Sequence, residues 1–261
     1  MKRLSYYTII GRSPSLLSWH LDNLTRNAGL DRKDYDLNIV IYRNKKIPKE
    51  TTNTIIDICA DYKTNMAFYD EPHDWFLGNL YACWNIGYNM GSAPIVLRGG
   101  SDQAWSPNSF KNIVDAHERY TNQELVTQVQ SVESPVAGPG SRHWIKPFGC
   151  GPTDFDEAAF NKFAEETGRE GLYSIQEALS IWGHPTSFDS SLGKIDRVDG
   201  LSWTMSRKLF EKVGPMPPME RGFTGDVIIH DRIQLLGITE FLVGNAFSYH
   251  LVRGESAGHT Q

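Results

Sequence analysis

Cysteine is scarce in this chain of 261 residues, occurring only as Cys59, Cys83 and Cys150. An odd number at wide spacing builds neither a disulfide framework nor a zinc knuckle. The thiols are therefore read as free, in a reducing compartment. Long apolar runs are missing too, since none approaches the roughly 20 residues that cross a bilayer. The opening "MKRLSYYTIIGRSP" lacks an apolar stretch of signal-peptide length. The expectation is a soluble, cytoplasmic protein. Positive charge is not in excess: 26 Lys and Arg against 31 Asp and Glu leave −5. That balance argues against general, backbone-driven binding of nucleic acid. Internal repeats and low-complexity tracts are absent. "TIIGRSPS" offers a single glycine, where a basic, glycine-rich phosphate loop would need several.

What is present is alternation. "LSYYTII" and "YDLNIVIYRN" are apolar runs of the kind buried in a parallel sheet. Between them "SPSLLSWHLDNLTRNAG" has helical spacing, with Ser13 and Pro14 at its start and Gly29 at its end. "PKETTNTIIDICADYK" predicts a second helix, "NMAFYDEP" a third strand, "WFLGNLYACWNIGYNMG" a third helix and "APIVLRGG" a fourth strand. "SPNSFKNIVDAHERYTN" predicts a helix capped by Ser106 before Pro107, and "ELVTQVQSV" another strand. Strands separated by such helices imply right-handed crossovers, and sheets of this kind bind ligands at the carboxyl ends of their strands. From about residue 135 the texture changes. "ESPVAGPGSRHWIKPFGCGPTDFD" predicts a long loop, a candidate lid. "FDEAAFNKFAEETG", "YSIQEALSIWG" and "GDVIIHDRIQLLG" predict helices. "RVDGLSWTMSRKLFEKVGPM" predicts strand then helix, and "ITEFLVGNAFSYHLVRG" a final pair of short strands.

Three residues carry candidate chemistry. Asp102, in "GGSDQAW", is an acid at a strand end beside glycines. It either caps a turn near Ser106 or supplies oxygen to a hard divalent cation on a diphosphate. Asp226 follows Gly225 and opens a helix, as an N-terminal cap or as a general base near a sugar hydroxyl. His250 ends the last strand, either structural or a ligand.

The order of these segments resembles the inverting, nucleotide-sugar-dependent glycosyltransferases of the GT-A fold, family 2 type. "YYTIIGRSPSLLSWHLDNL" is similar to their opening strand, turn and helix, and "YDLNIVIYRN" to the strand that ends at the nucleobase pocket. "CWNIGYNMGSAPIVLRGGSDQAWSPNSF" resembles their helix, apolar strand, acidic motif and proline-led helix. "DGLSWTMSRKLFEKVGPM" and "GFTGDVIIHDRIQLLG" resemble the later acceptor and base segments. The likeness covers about residues 5–110 and 198–252. It departs in three places, the first at the end of the second strand, where "YRNKK" stands in place of the usual acids for the base and ribose. Gly100 stands where the first acid of Asp-x-Asp would be, leaving Asp102 as the second. Gly225-Asp226 replaces a Glu-Asp pair.

The resemblance implies an α/β fold with a mixed, mostly parallel central sheet flanked by helices. It implies one GT-A-like domain over residues 1–261, with 1–110 as the nucleotide-sugar-binding half and 111–261 as the acceptor-binding half. Gly11, Arg12 and Arg43 would border the base and ribose of a UDP- or GDP-sugar donor, and Asn85, Gly100 and Ser101 would shape the donor site. Asp102 and His250 would hold Mn²⁺ or Mg²⁺. Asp226 would be the base toward an acceptor glycan or another hydroxyl-bearing molecule, and Trp203, Trp182 and Trp105 would line the acceptor site. Two other readings stay open: a GT-A-like protein that binds nucleotide sugars without catalysis, and a nucleotidyltransferase.

Overall fold

The computed structural model describes residues 1–72, 80–120, 124–137, 144–182, 202–217 and 225–251, with the side chains of 225–227 outside that description. The expected alternation is observed. Strand β1 (Leu4–Ile10) leads to helix α1 (Pro14–Asn27), β2 (Tyr35–Arg43), α2 (Lys49–Asp61), β3 (Asn65–Asp70), α3 (Leu80–Asn89) and β4 (Ile95–Arg98). There follow β5 (Gln103–Trp105), α4 (Ser109–Arg119), β6 (Val126–Glu133), β7 (Trp144–Ile145), α5 (Glu157–Thr167), β8 (Leu172–Ser174), α6 (Ile175–Trp182), β9 (Thr204–Ser206), α7 (Arg207–Val213), α8 (Gly225–Leu235) and β10 (Glu240–His250). The candidate lid falls partly on residues 138–143, which lie outside the described residues.

The strands form one sheet in the order β3-β2-β1-β4-β9-β6-β10-β5, with β7 on β6 and β8 on β10. β1 pairs in parallel with β2 and β4, and β2 with β3. β9 is antiparallel to both β4 and β6. β4 and β6 therefore point the same way, and so does β10, which is parallel to β6. The result is a mixed, mostly parallel α/β sheet whose principal strands end on one edge.

Local chemistry explains most elements. β2 is buried along its length except at Arg43, as a strand covered on both faces should be. In α1, Pro14 occupies the first turn, where its missing N–H costs nothing. Leu16, Leu17, Leu21 and Leu24 bury a continuous stripe. α3 approaches β1 closely, because a Cβ at Gly87 would lie 2.0 Å from the Tyr7 ring. Arg207 then fastens the end of α3, donating to the carbonyls of Tyr88, Met90 and Ala93.

Five local expectations change, one of them in the expected loop, where Trp144–Ile145 form β7. The helix after the acidic motif starts at Ser109, not beside Ser106. Asn108 takes a left-handed conformation (φ 63°), and the Ser106 and Ser109 hydroxyls bond to each other at 2.9 Å. Residues 103–105, which the sequence pattern assigned to no element, form β5. The segment before α6 is a short strand, β8, rather than helix. The expected final pair of strands is one eleven-residue strand, β10, whose pairing with β6 shifts between Val243 and Phe247. An irregularity there lets one strand serve two registers.

Two of the buried imidazoles, His20 and His117, lie inside this framework. His20 bonds the Gln103 carbonyl through Nδ1 (2.6 Å) and the Tyr6 hydroxyl through Nε2 (2.8 Å). A carbonyl only accepts, so Nδ1 carries the proton and Nε2 accepts from Tyr6. His117 bonds the Thr127 hydroxyl at 3.0 Å. Burial pushes both rings down to about 4 from 6.5. The unfolded chain therefore takes up protons first as pH falls below 6.5, and folding stability is lost between about 6.5 and 4. The combined loss should be on the order of a few kcal/mol. Urea unfolding midpoints measured across that window should fall with pH, and a flat profile would contradict buried, neutral imidazoles.

Candidate active site at the carboxyl edge of the sheet

β4 ends at Arg98, and Gly99, Gly100, Ser101 and Asp102 turn the chain into β5. β5 runs antiparallel to the end of β10, with Gln103 opposite His250 and Trp105 opposite Ser248. The turn is closed from inside. The fully buried Gln103 accepts from the Gly100 N–H at 2.6 Å and donates to the hydroxyls of Ser202 (3.1 Å) and Ser248 (3.4 Å). The Leu251 N–H donates to the Asp102 carbonyl at 3.0 Å. These bonds bring residue 102 to residue 250.

The Asp102 carboxylate lies 3.2 Å from Nε2 of His250. On the ring's other side, Nδ1 lies 3.4 Å from the Glu133 carboxylate at the end of β6. All three side chains are mostly buried, with 12–17% of each exposed. Burial acts to lower the His250 pKa, but Asp102 and Glu133 outweigh it and raise the ring from 6.5 to about 10. Burial likewise acts to raise Asp102, yet His250 and its surroundings hold the carboxyl below its ordinary value. At neutral pH the metal-free pair is therefore ionic. Asp102 is not a helix cap, since its carboxylate is turned to His250.

The remaining expected residues divide. Gly11 is buried just beyond β1, with Arg12 half-buried beside it, at the same edge as Asp102. Arg43 ends β2, but its guanidinium is held by Asp70 at 2.7 Å and lies 4.5 Å over the Phe68 ring. Asn85 was expected in the donor site. Instead its amide accepts from the Met216 N–H and donates to the Met216 carbonyl, at 2.8 and 2.9 Å, clamping α3 to the segment after α7. Gly100 is half-buried and Ser101 buried in the turn. Trp203 is fully buried, its ring 4.3 Å from that of His230, so it presents no face to a sugar in this arrangement. Trp105 is likewise enclosed, with Tyr6 and Phe110. Trp182 packs on Tyr173 and donates to the Thr167 carbonyl. Tyr173 pairs with Leu242. That pairing lies near the start of β10, roughly 25 Å along the strand from His250, so Trp182 is remote from the edge where the site forms. Asp226 falls in the first turn of α8, and its side chain lies outside the described residues. α8 turns back through Gly237 into β10, which sets its first turn toward the carboxyl edge.

Two residues here were not anticipated. Glu133 read as the start of a loop, although an acid closing an apolar strand is itself a signal. Arg98 is buried, with its guanidinium 3.6 Å over the Trp84 ring and 5.8 Å from that of Trp203. Its Nη1 has no hydrogen-bond partner among the described residues.

Among the described residues, no group of three or more His, Cys, Asp or Glu side chains is arranged to hold a metal ion. Glu133 contacts the far nitrogen of the ring and does not converge with the other two. One carboxylate oxygen and one imidazole nitrogen do converge. That pair fits a divalent ion whose other ligands are water and phosphate oxygens, and it does not fit a closed protein cage. Gly100 contributes nothing, and a Cβ there would meet the Asp102 Oδ1 at 2.6 Å.

No family model and no curated protein sequence matches the chain. Solved structures do match. GalNAc-T7 with UDP, GalNAc and Mn²⁺ superposes with a TM-score of 0.60 at 10% identity, over 95% of this chain and 43% of that one. S. aureus TarS 1–349 gives 0.54 at 10% identity, over 97% and 59%. The same protein in complex with UDP-GlcNAc gives 0.60 at 9% identity, over 95% and 60%. The chain thus spans between 43% and 60% of the lengths of these structures. The likeness establishes the fold: a GT-A, Rossmann-like sheet. No described helix is long and apolar enough to cross a membrane.

The Gly100 contact generates a prediction. Gly100→Asp, which would write Asp-x-Asp into the sequence, should push Asp102 off His250. It should lower thermal stability by about 1–3 kcal/mol, as overpacking does. A variant melting with the parent would show that the turn accommodates a side chain.

Proposed function

We propose that the chain is a glycosyltransferase that moves a sugar from a nucleotide-sugar donor to an acceptor hydroxyl with inversion. The observation that carries this reading is the meeting of Asp102 and His250 at the carboxyl edge of a GT-A sheet. Two solved structures of this fold hold UDP with GalNAc and Mn²⁺, or UDP-GlcNAc, in the complexes described. In the proposed arrangement the nucleotide lies across the ends of β1 and β2, bordered by Gly11 and Arg12, with Arg43 and Asp70 at its rim. Gly100 and Ser101 shape the turn beneath the diphosphate. Asp102 and His250 are the protein's ligands for Mn²⁺ or Mg²⁺. A bound ion offsets charge on the departing nucleoside diphosphate. Asp226, in the first turn of α8, takes the proton from the acceptor hydroxyl as its oxygen attacks C1 on the face opposite the diphosphate. One displacement inverts the anomeric centre. The tryptophans named from the sequence are left out of the acceptor site on account of their placement.

A second reading rests on the same turn. With Gly100 in place of an acid, only two described side chains reach a metal, which favours a protein that binds the donor without transferring the sugar. A donor screen separates the two. With UDP- and GDP-sugars, Mn²⁺ and candidate glycan acceptors, the enzyme should release nucleoside diphosphate, and chelator should abolish the release. Binding by calorimetry with no release would favour the second reading, and release of pyrophosphate would instead indicate nucleotidyl transfer. Asp226→Asn should lower kcat by roughly 100- to 10,000-fold with donor affinity unchanged. Full activity in that variant would remove Asp226 from the base role.

A further inference from the structure

We infer that Glu133 is a positioning residue: it holds Nδ1–H of His250 and so aims Nε2 of that ring at Asp102 and the divalent-ion site. The inference rests on the reading of Asp102 and His250 as metal ligands. It adds a third side chain, from a strand that the acidic motif does not include.

The geometry is set by backbone before any side chain acts. β6 and β10 run parallel, and their pairing places Glu133 directly beside His250. Both residues then leave the sheet on the same face. On the other flank, β5 places Gln103 opposite His250, with Asp102 next in the chain. His250 is thus the middle strand's terminal residue, between an acid on each side. Backbone bonds lock both flanks. The Ser134 N–H donates to the His250 carbonyl and the Leu251 N–H to the Asp102 carbonyl, each at 3.0 Å. The Glu133 carbonyl accepts from the Lys146 N–H, also at 3.0 Å, which fixes the end of β6.

An imidazole in this position has one useful freedom, rotation about its side-chain bonds. Removing it requires a partner for the nitrogen that does not face the ligand. A carboxylate accepts only, so the Nδ1 facing Glu133 must carry hydrogen. The lone pair available to an ion is then on Nε2, which faces Asp102 at 3.2 Å, while Nδ1 faces Glu133 at 3.4 Å. Carboxylate partners of this kind fix ring orientation and increase the basicity of metal-bound histidines. The contribution matters here because the protein supplies so few ligands. With Gly100 giving none, the orientation of one ring decides half of what Asp102 and His250 offer together.

The test is Mn²⁺ binding to the full chain, measured by electron paramagnetic resonance with and without UDP. The parent is compared with Asp102→Ala, Glu133→Ala and Glu133→Gln. Circular dichroism checks that each variant is folded. The parent should bind Mn²⁺, and its electron spin echo should carry the nitrogen modulation of a ligated imidazole. Asp102→Ala should lose binding. Glu133→Ala should bind about 10- to 100-fold more weakly with the nitrogen modulation reduced or lost. Glu133→Gln keeps an acceptor for Nδ1–H, so it should recover much of both signals, and it stands in for the alanine variant should that one not fold. Equal Mn²⁺ binding by parent and Asp102→Ala, or none by the parent, overturns the metal reading and the inference with it. Loss in Asp102→Ala beside parental affinity and parental nitrogen modulation in both Glu133 variants overturns the positioning role alone.

Discussion

A three-residue strand running back along the end of β10 holds this architecture's chemistry in place. β5 has few backbone bonds of its own, so the side chain of Gln103 supplies the rest. Its amide spans Gly100, Ser202 and Ser248, and the backbone carbonyl of Gln103 receives the His20 ring, which in turn receives the Tyr6 hydroxyl. A fully buried amide is costly unless its polar atoms are satisfied. Here their satisfaction ties the turn after β4 to the end of β10 and to α1. Asp102 and His250 are 148 positions apart in the chain, and this buried joint is what makes them neighbours.

The electrostatics follow from that joint. Two carboxylates and one imidazole meet where three strands end, in a place with little water. Burial alone would discharge His250. The acids on either side reverse this, so the ring is a cation at neutral pH in the absence of a metal. On the proposed reading, a divalent ion held by Asp102 and His250 would take the place of the Nε2 proton. Arg98 places a second positive charge at this edge, against the Trp84 face rather than against a carboxylate. The edge thus sets one carboxylate on either side of His250, with a guanidinium at the end of β4.

Much of this was legible one residue at a time. The strands β1, β2, β4 and β6 are short apolar runs bounded by turns, and the helices between them carry apolar stripes, so the α/β class follows from periodicity. Asp102 is conspicuous because it is an acid at a strand end with glycines before it. His250 is conspicuous as an imidazole at the end of the last strand. What misled was side-chain destination. Asn85 sits on α3, the helix before the strand that leads to the acidic motif, yet both ends of its amide go to Met216. Trp203 sits in a segment resembling an acceptor loop, yet β9 draws it into the interior beside His230. Nothing in local pattern distinguishes a tryptophan that stacks on a ligand from one that packs a core.

While the family resemblance picked out two of the three side chains at the carboxyl edge, composition and periodicity by themselves determined the fold class and the order of strands and helices through the first half. These depend on local interactions, in which apolar spacing, turn residues and helix ends act within a few positions of one another. The tertiary structure decided which strands lie side by side. Local sequence pattern does not reveal that β6 and β10 run parallel with Glu133 beside His250, or that β5 returns along β10. Such pairings depend on closing loops of more than a hundred residues, and their free energy comes from burial and hydrogen bonds that exist only once the sheet is assembled. Glu133 stayed hidden for that reason: its meaning comes from the neighbour that the sheet gives it.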